Sequence, residues 1–201
     1  MPAWCPFVRL RSGFVRSTVA SIDRDLFPDD PGSRQSAGKA SKGRHMPLKL
    51  REGDPAPPFR LPRDGGGEVS LADFRGRKLV LYFYPKADTP GCTREAQAFS
   101  ARRDAFAAVG TDILGVSADP VKKQNSFRDK HGLTIPLASD ETHAMLEAYG
   151  VWGEKSMYGR TFMGITRATL LIGPDGRIAR IWPAVKVDGH ADEVLAAATA
   201  L

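Results

Sequence analysis

The stretch Leu79-Val80-Leu81-Tyr82-Phe83-Tyr84, running directly into Pro85-Lys86-Ala87-Asp88-Thr89-Pro90-Gly91-Cys92, decides the fold. The first six residues are apolar, rich in aromatics and bounded by Arg77-Lys78 and Pro85, which reads as a buried strand. Past Pro85, Thr89 is a good helix N-cap, Pro90 suits a first helical position, and Gly91 lets another group approach the backbone closely. The chain therefore turns from strand into helix here. Phe99, Phe106 and Val109 share one face at helical spacing and Gly110 supplies a stop, so the helix is expected to run to that glycine.

The alternation continues outward. Ile113 to Val116 is a second buried strand, after which Asp119 is expected as N-cap and Pro120 as first-turn residue of a helix ending near Gly132. Leu133 to Leu137 reads as a short strand interrupted by Pro136, and Asp140 as the cap of a helix carrying Met145, Leu146 and Tyr149. Arg167 to Ile172, the turn Pro174-Asp175-Gly176, and Arg177 to Trp182 make a hairpin, with a last helix from about Ala191 to Ala200. Alternating strands and helices followed by a hairpin imply an α/β fold, a mixed central sheet with helices on both faces.

Composition sets outer bounds. The chain has 201 residues, 42% hydrophobic and 26% charged, enough for one domain with a real core, or at most a domain with a tail. Residues 1–45 hold eight basic and four acidic side chains and end in GSRQSAGKASKGRH, so they read as a disordered basic extension ahead of a domain spanning 46–201, with Met46 as an alternative start. The net charge of +6 thus belongs largely to the extension, and the domain lacks the basic, aromatic-interleaved face of a nucleic-acid binder. No apolar run has membrane-spanning length, and Arg9 and Arg11 arrive before any signal-peptide core, so a cytoplasmic protein without membrane attachment is expected. Two cysteines, Cys5 and Cys92, are too few for a disulfide scaffold or a four-cysteine zinc site. His45, His131, His143 and His190 show no metal-ligand spacing and are read as exposed or capping residues, and no metal or cofactor is expected. The chain carries neither a Gly-rich phosphate loop nor a C-x-x-C pair.

Cys92 falls in the first turn of its helix, where unpaired amides and the positive end of the helix dipole favour a thiolate. A cysteine at its reference pKa of about 8.5 is only ~3% ionised at neutral pH, whereas one near 6 would be ~90% ionised. The plain alternative is a small buried hydrophobe.

The segment LYFYPKADTPGCTREAQAF resembles the active-site segment of peroxiredoxins, whose P-x-x-x-T-x-x-C motif is matched by Pro85, Thr89 and Cys92. The resemblance continues through GVSADPVKKQNSFRDKHGLTIPLASD, YGVWGEKSMYGR and GITRATLLIGPDGRIARIWPAVKVDGHADEVL, and within the family it is closest to the bacterioferritin-comigratory-protein or Q-type branch. It implies a thioredoxin-like fold and a thiol-dependent peroxidase that reduces hydrogen peroxide and organic hydroperoxides, serving antioxidant defence and cell redox homeostasis. It makes Cys92 the peroxidatic nucleophile, Thr89 the group that holds the thiolate and orients the peroxide, Pro85 a wall against water, and Arg167 the cation that stabilises thiolate and leaving oxygen. For Thr89 a plain helix cap and for Arg167 a surface ion pair are the competing readings. Glu95 reads either as a helix acid or as an orienting group near Arg167, and Trp152 and Tyr158 either as core residues or as part of the pocket mouth.

The sequence departs from the branch at one informative place. Where many members carry a resolving cysteine, five positions after the first, this chain has Gln97. A one-cysteine cycle is therefore expected, with thioredoxin, glutaredoxin or a small thiol such as glutathione as reductant and Cys5 dispensable. The resemblance implies a monomer or weak dimer. A peroxide-sensing redox relay and an inactive thioredoxin-fold binding protein are the competing functions.

Overall fold

A computed structural model of the chain describes residues 50–157 and 160–201. The extension, with Cys5 and His45, and Tyr158 lie outside the described residues. Within them, β3 (Lys78–Phe83), β4 (Thr111–Ser117), β5 (Leu137–Ser139), β8 (Ala168–Ile172) and β9 (Ile178–Trp182) form the central sheet in the order β5-β4-β3-β8-β9. β3, β4 and β5 are parallel, while β8 runs antiparallel to both β3 and β9, so the sheet is mixed. Two antiparallel hairpins flank it: β1 (Arg60–Pro62) with β2 (Glu68–Ser70), and β6 (Trp152–Met157) with β7 (Arg160–Ile165).

β3 shows why the sheet is buried on both sides. Leu79, Leu81 and Phe83 enter one core with Met145, Leu146 and Tyr149, whereas Val80, Tyr82 and Tyr84 enter the other with Ala96, Phe99, Phe106, Phe127 and Val194. Alternate side chains of a strand point to opposite faces, so both sets must be apolar. The first core is closed by α4 (Ala144–Ala148), the second by α1 (Pro90–Ala101), α2 (Arg103–Ala108), α3 (Val121–His131) and α5 (His190–Ala200). No helix among the described residues is long and apolar enough to cross a membrane.

Four elements differ from expectation for local reasons. The helix after Cys92 breaks at Arg102 (φ −106°, ψ 5°), whose amide turns back to the Phe99 and Ser100 carbonyls while its guanidinium binds Ala98 O and Asp192 of α5. Phe99 and Phe106 stay buried, their rings 6.1 Å apart. The strand expected at 133–137 begins only at Leu137, because Pro136 has no N–H and contributes just its carbonyl, which accepts from Gly115 N at 3.1 Å. Pro120 precedes α3 as its N-cap, with extended ψ of 153°, and the Asp119 carboxylate is used elsewhere. The N-cap of α4 is His143, in a left-handed conformation, and not Asp140, which lies three residues earlier and reaches the helix only through its carboxylate, accepting from Leu146 N at 2.9 Å.

The hairpin of β6 and β7 occupies a region whose sequence reads only as a Gly-containing loop. Trp152 packs against the first core and stacks on His143 at 3.9 Å between ring centroids. His190, expected at the surface or as a cap, is buried beside Phe99 and Trp182 with Nε2 2.8 Å from Thr169 Oγ1, and burial lowers its pKa.

Candidate active site

The register between β3 and β8 assembles the site. Phe83, at the end of β3, pairs with Ala168, at the start of β8. The turn leaving β3 and the residue entering β8 therefore meet at one end of these two central strands. The first carries Cys92 and the second is Arg167.

Along the turn, Pro85 and Lys86 are exposed, Ala87 is buried, and Asp88 adopts a left-handed conformation before Thr89 caps α1 with extended backbone. Pro90 is the first helical residue, so Cys92 is the third. Thr93 N donates to Thr89 O at 2.8 Å, and the Gly91 and Cys92 amides precede that first helical bond. The Thr89 hydroxyl makes no cap; it donates to Lys86 O at 3.0 Å and tightens the turn.

Cys92 is 1% exposed, a free thiol among the described residues. Arg167 Nη2 donates to its Sγ at 3.0 Å, and Nη1 of the same guanidinium pairs with Glu95 Oε2. Of the two readings of Glu95, orientation of Arg167 is the contact observed. Glu95 lies one turn beyond Cys92 on the same helix, and its burial matches that of the cysteine. Burial pushes its carboxyl up to about 7, against the pull of the Arg167 charge. Burial opposes the charge on Arg167 as well, but Glu95 and Cys92 together outweigh it and hold the guanidinium above its ordinary pKa. Among the described residues neither Glu95 Oε1 nor the Tyr82 hydroxyl has a hydrogen-bond partner. Gly91 lies under the guanidinium; a Cβ there would stand 3.4 Å from Arg167 Nη2, an ordinary contact.

Two residues without a distinctive sequence signal complete the surroundings. Lys155, on β6, donates to Ile165 O at 2.5 Å, two residues before Arg167. Burial and the Arg167 charge lower its pKa, while Cys92 raises it. Asp119 Oδ2 accepts from Ala87 N at 2.6 Å and from Ser117 Oγ at 2.9 Å, and its Oδ1 meets Lys123 Nζ, so the carboxylate expected to cap α3 instead fastens the Cys92 turn to the end of β4. Only the Asx-type position of Asp119 hints at a hydrogen-bonding role. No group of acidic, histidine and cysteine side chains suited to a metal ion occurs among the described residues.

A buried cysteine in the first turn of a helix, contacted by an arginine at the entry to a neighbouring strand, is an arrangement that thiol enzymes use. The AhpC/TSA family model matches residues 52–181, and the chain belongs to that family. It is 45% identical over 148 residues to a putative peroxiredoxin bcp of Coxiella burnetii, covering 74% of this chain and 98% of that protein. It is 44% identical over 146 residues to the peroxiredoxin Bcp of Escherichia coli K12, covering 73% and 94%. The bacterioferritin comigratory protein of Xanthomonas campestris, solved in a study of its alkyl peroxide reduction activity, superposes with a TM-score of 0.68 at 45% identity, covering 71% of this chain and 90% of that one. These relatives confirm the peroxiredoxin resemblance, the thioredoxin-like α/β fold and thiol peroxidase activity.

Proposed function

We propose that Cys92 is the peroxidatic nucleophile of a one-cysteine cycle acting on hydrogen peroxide and alkyl hydroperoxides. The observation that carries this reading is the 3.0 Å contact from Arg167 Nη2 to Cys92 Sγ, because it sets a fixed cationic donor beside the attacking sulfur, where charge develops on the departing oxygen. The thiolate attacks one peroxide oxygen. An S–O bond forms, the O–O bond breaks, and the departing oxygen takes a proton to leave as water or an alcohol, with Cys92 oxidised to sulfenic acid. Arg167 answers the charge that develops on that oxygen. Thr89 rotates its hydroxyl from the Lys86 carbonyl to the incoming peroxide, and Pro85 shields the turn on the solvent side. The alkyl substrate is inferred from the Xanthomonas relative.

Recycling falls to an external thiol, since position 97 is glutamine. The thiol sulfur attacks the sulfenic sulfur, the S–O bond breaks, and water leaves as a mixed disulfide forms; a second thiol releases Cys92. Thioredoxin, glutaredoxin and glutathione are the candidate reductants, and the cytoplasm is the compartment that supplies them. One equivalent of hydrogen peroxide followed by a sulfenic-acid reagent tests the first step. Rapid labelling of Cys92 with turnover supported by a thiol is expected. Labelling without turnover by any thiol would favour the sensor, and no labelling an inactive binding protein.

A further inference from the structure

Lys155, on β6, is held at both its stem and its head. Across the hairpin it pairs with Phe162, and both side chains run close to Gly164, where a Cβ would stand 3.2 Å from Phe162 Cε2 and 3.5 Å from Lys155 Cδ. Its Nζ donates to Ile165 O at 2.5 Å, two residues before Arg167, and two residues of chain span at most about 7 Å. An ammonium carries three donors, and this is the one hydrogen bond that Lys155 makes among the described residues, so two N–H groups remain. They lie within electrostatic reach of the site: burial and the Arg167 charge lower the Lys155 pKa, and Cys92 raises it.

The peroxide step needs a proton for the departing oxygen, since hydroxide and simple alkoxides are poor leaving groups. Of the groups around Sγ, Arg167 is held above its ordinary pKa by Glu95 and Cys92 and keeps its protons. Glu95 is 1% exposed, and Arg167 stands between it and the sulfur, with Nη1 on Glu95 Oε2 and Nη2 on Sγ. Thr89 offers only an alcohol, no more acidic than the group it would protonate. Lys155 is left, a half-buried cation with free donors. We infer that Lys155 is the general acid of the peroxide step and gives its proton to the departing oxygen, while Arg167 holds the charge that develops there. The inference rests on the peroxidase reading of Cys92. As the S–O bond forms and the O–O bond breaks, sulfur is oxidised by two electrons and the departing oxygen leaves with the O–O electron pair. One Lys155 N–H bond breaks as an O–H bond forms, and water or an alcohol departs beside a neutral amine. The amine recovers its proton from solvent, to which the half-buried side chain is open.

The test uses the full-length chain and two oxidants that differ in what leaves. Hydrogen peroxide expels hydroxide, which needs a proton, whereas peracetic acid expels acetate, which does not. Wild type, Lys155→Met and Lys155→Arg are oxidised in a single turnover at neutral pH, and the rate of sulfenic-acid formation is read by mass spectrometry of the Cys92 peptide. In Lys155→Met the ratio of the hydrogen peroxide rate to the peracetic acid rate is expected to fall roughly a hundredfold, the usual effect of losing a positioned general acid. Lys155→Arg should show a similar fall, because a guanidinium keeps the charge and a donor for Ile165 O but holds its proton. A merely damaged hairpin slows both oxidants and leaves the ratio unchanged. An unchanged ratio in Lys155→Met overturns the inference, and so does a wild-type ratio in Lys155→Arg, which would make the charge alone sufficient. Either result with a wild-type chain that oxidises normally leaves the peroxidase reading standing. A wild-type chain that forms no sulfenic acid with either oxidant overturns that reading, and the role of Lys155 with it.

Discussion

Arg167 Nη2 donates to Cys92 Sγ at 3.0 Å although the two residues stand 75 positions apart in the chain. Pairing of Phe83 with Ala168 brings them together, and the ion pair with Glu95 holds the guanidinium in place. Replacing Arg167 by methionine removes one preorganised cationic donor, and should lower kcat/KM for hydrogen peroxide by roughly a hundredfold or more. Arg167→Lys should recover little of it, because a single ammonium cannot serve both Sγ and Glu95 in that geometry. Stopped-flow oxidation of Cys92 checks both variants; a lysine variant at wild-type rate would show that charge alone suffices.

Glu95 makes the domain sensitive to pH near neutrality. Its folded pKa is raised from 4.5 to about 7, so between those values the folded chain binds a proton that the unfolded chain has lost. The contribution of Glu95 to stability is complete below the unfolded value and is lost as pH rises through 7. Urea unfolding should therefore show wild type losing stability relative to Glu95→Gln between about pH 5 and about pH 8. A stability difference independent of pH would contradict this account.

Gly115 is required by the strand beside the site. It is the β4 partner of Tyr82, and a Cβ at 115 would lie 2.5 Å from the tyrosine oxygen and 2.6 Å from Cζ. Gly115→Ala should destabilise the domain by about 1–3 kcal/mol through overpacking. Adding Tyr82→Phe should recover part of that loss, since it deletes the nearest atom and removes a hydroxyl that has no partner among the described residues. Denaturant midpoints for the four members of the cycle test this; simple additivity would argue against the steric origin.

The legibility of each feature in the sequence depends on how local its signal is. The strand-turn-helix around Cys92 can be read because its turn residues are contiguous and each has a conformational role. Arg167 has no local signal, and only the family resemblance of GITRAT points to it. Asp119 reads as a helix cap and Asp88 as part of a turn, but neither reads as a fastener, since their partners Ala87, Lys130 and His131 lie far away in sequence. The β6–β7 hairpin escapes because its second strand presents Phe162 and Met163 to solvent, which erases the alternation of burial that marks a strand. The early end of the helix at Arg102 depends on Asp192 of α5, a tertiary partner that overrides a pattern favouring continuation.

The most direct test is thiol-dependent consumption of hydrogen peroxide by the full-length chain, by Cys92→Ser and by Cys5→Ser, assayed side by side with thioredoxin, glutaredoxin or glutathione as donor. The prediction is that Cys92→Ser abolishes consumption while Cys5→Ser turns over at nearly the wild-type rate. Activity surviving in the Cys92 variant, or lost in the Cys5 variant, would contradict a cycle run by a single thiol.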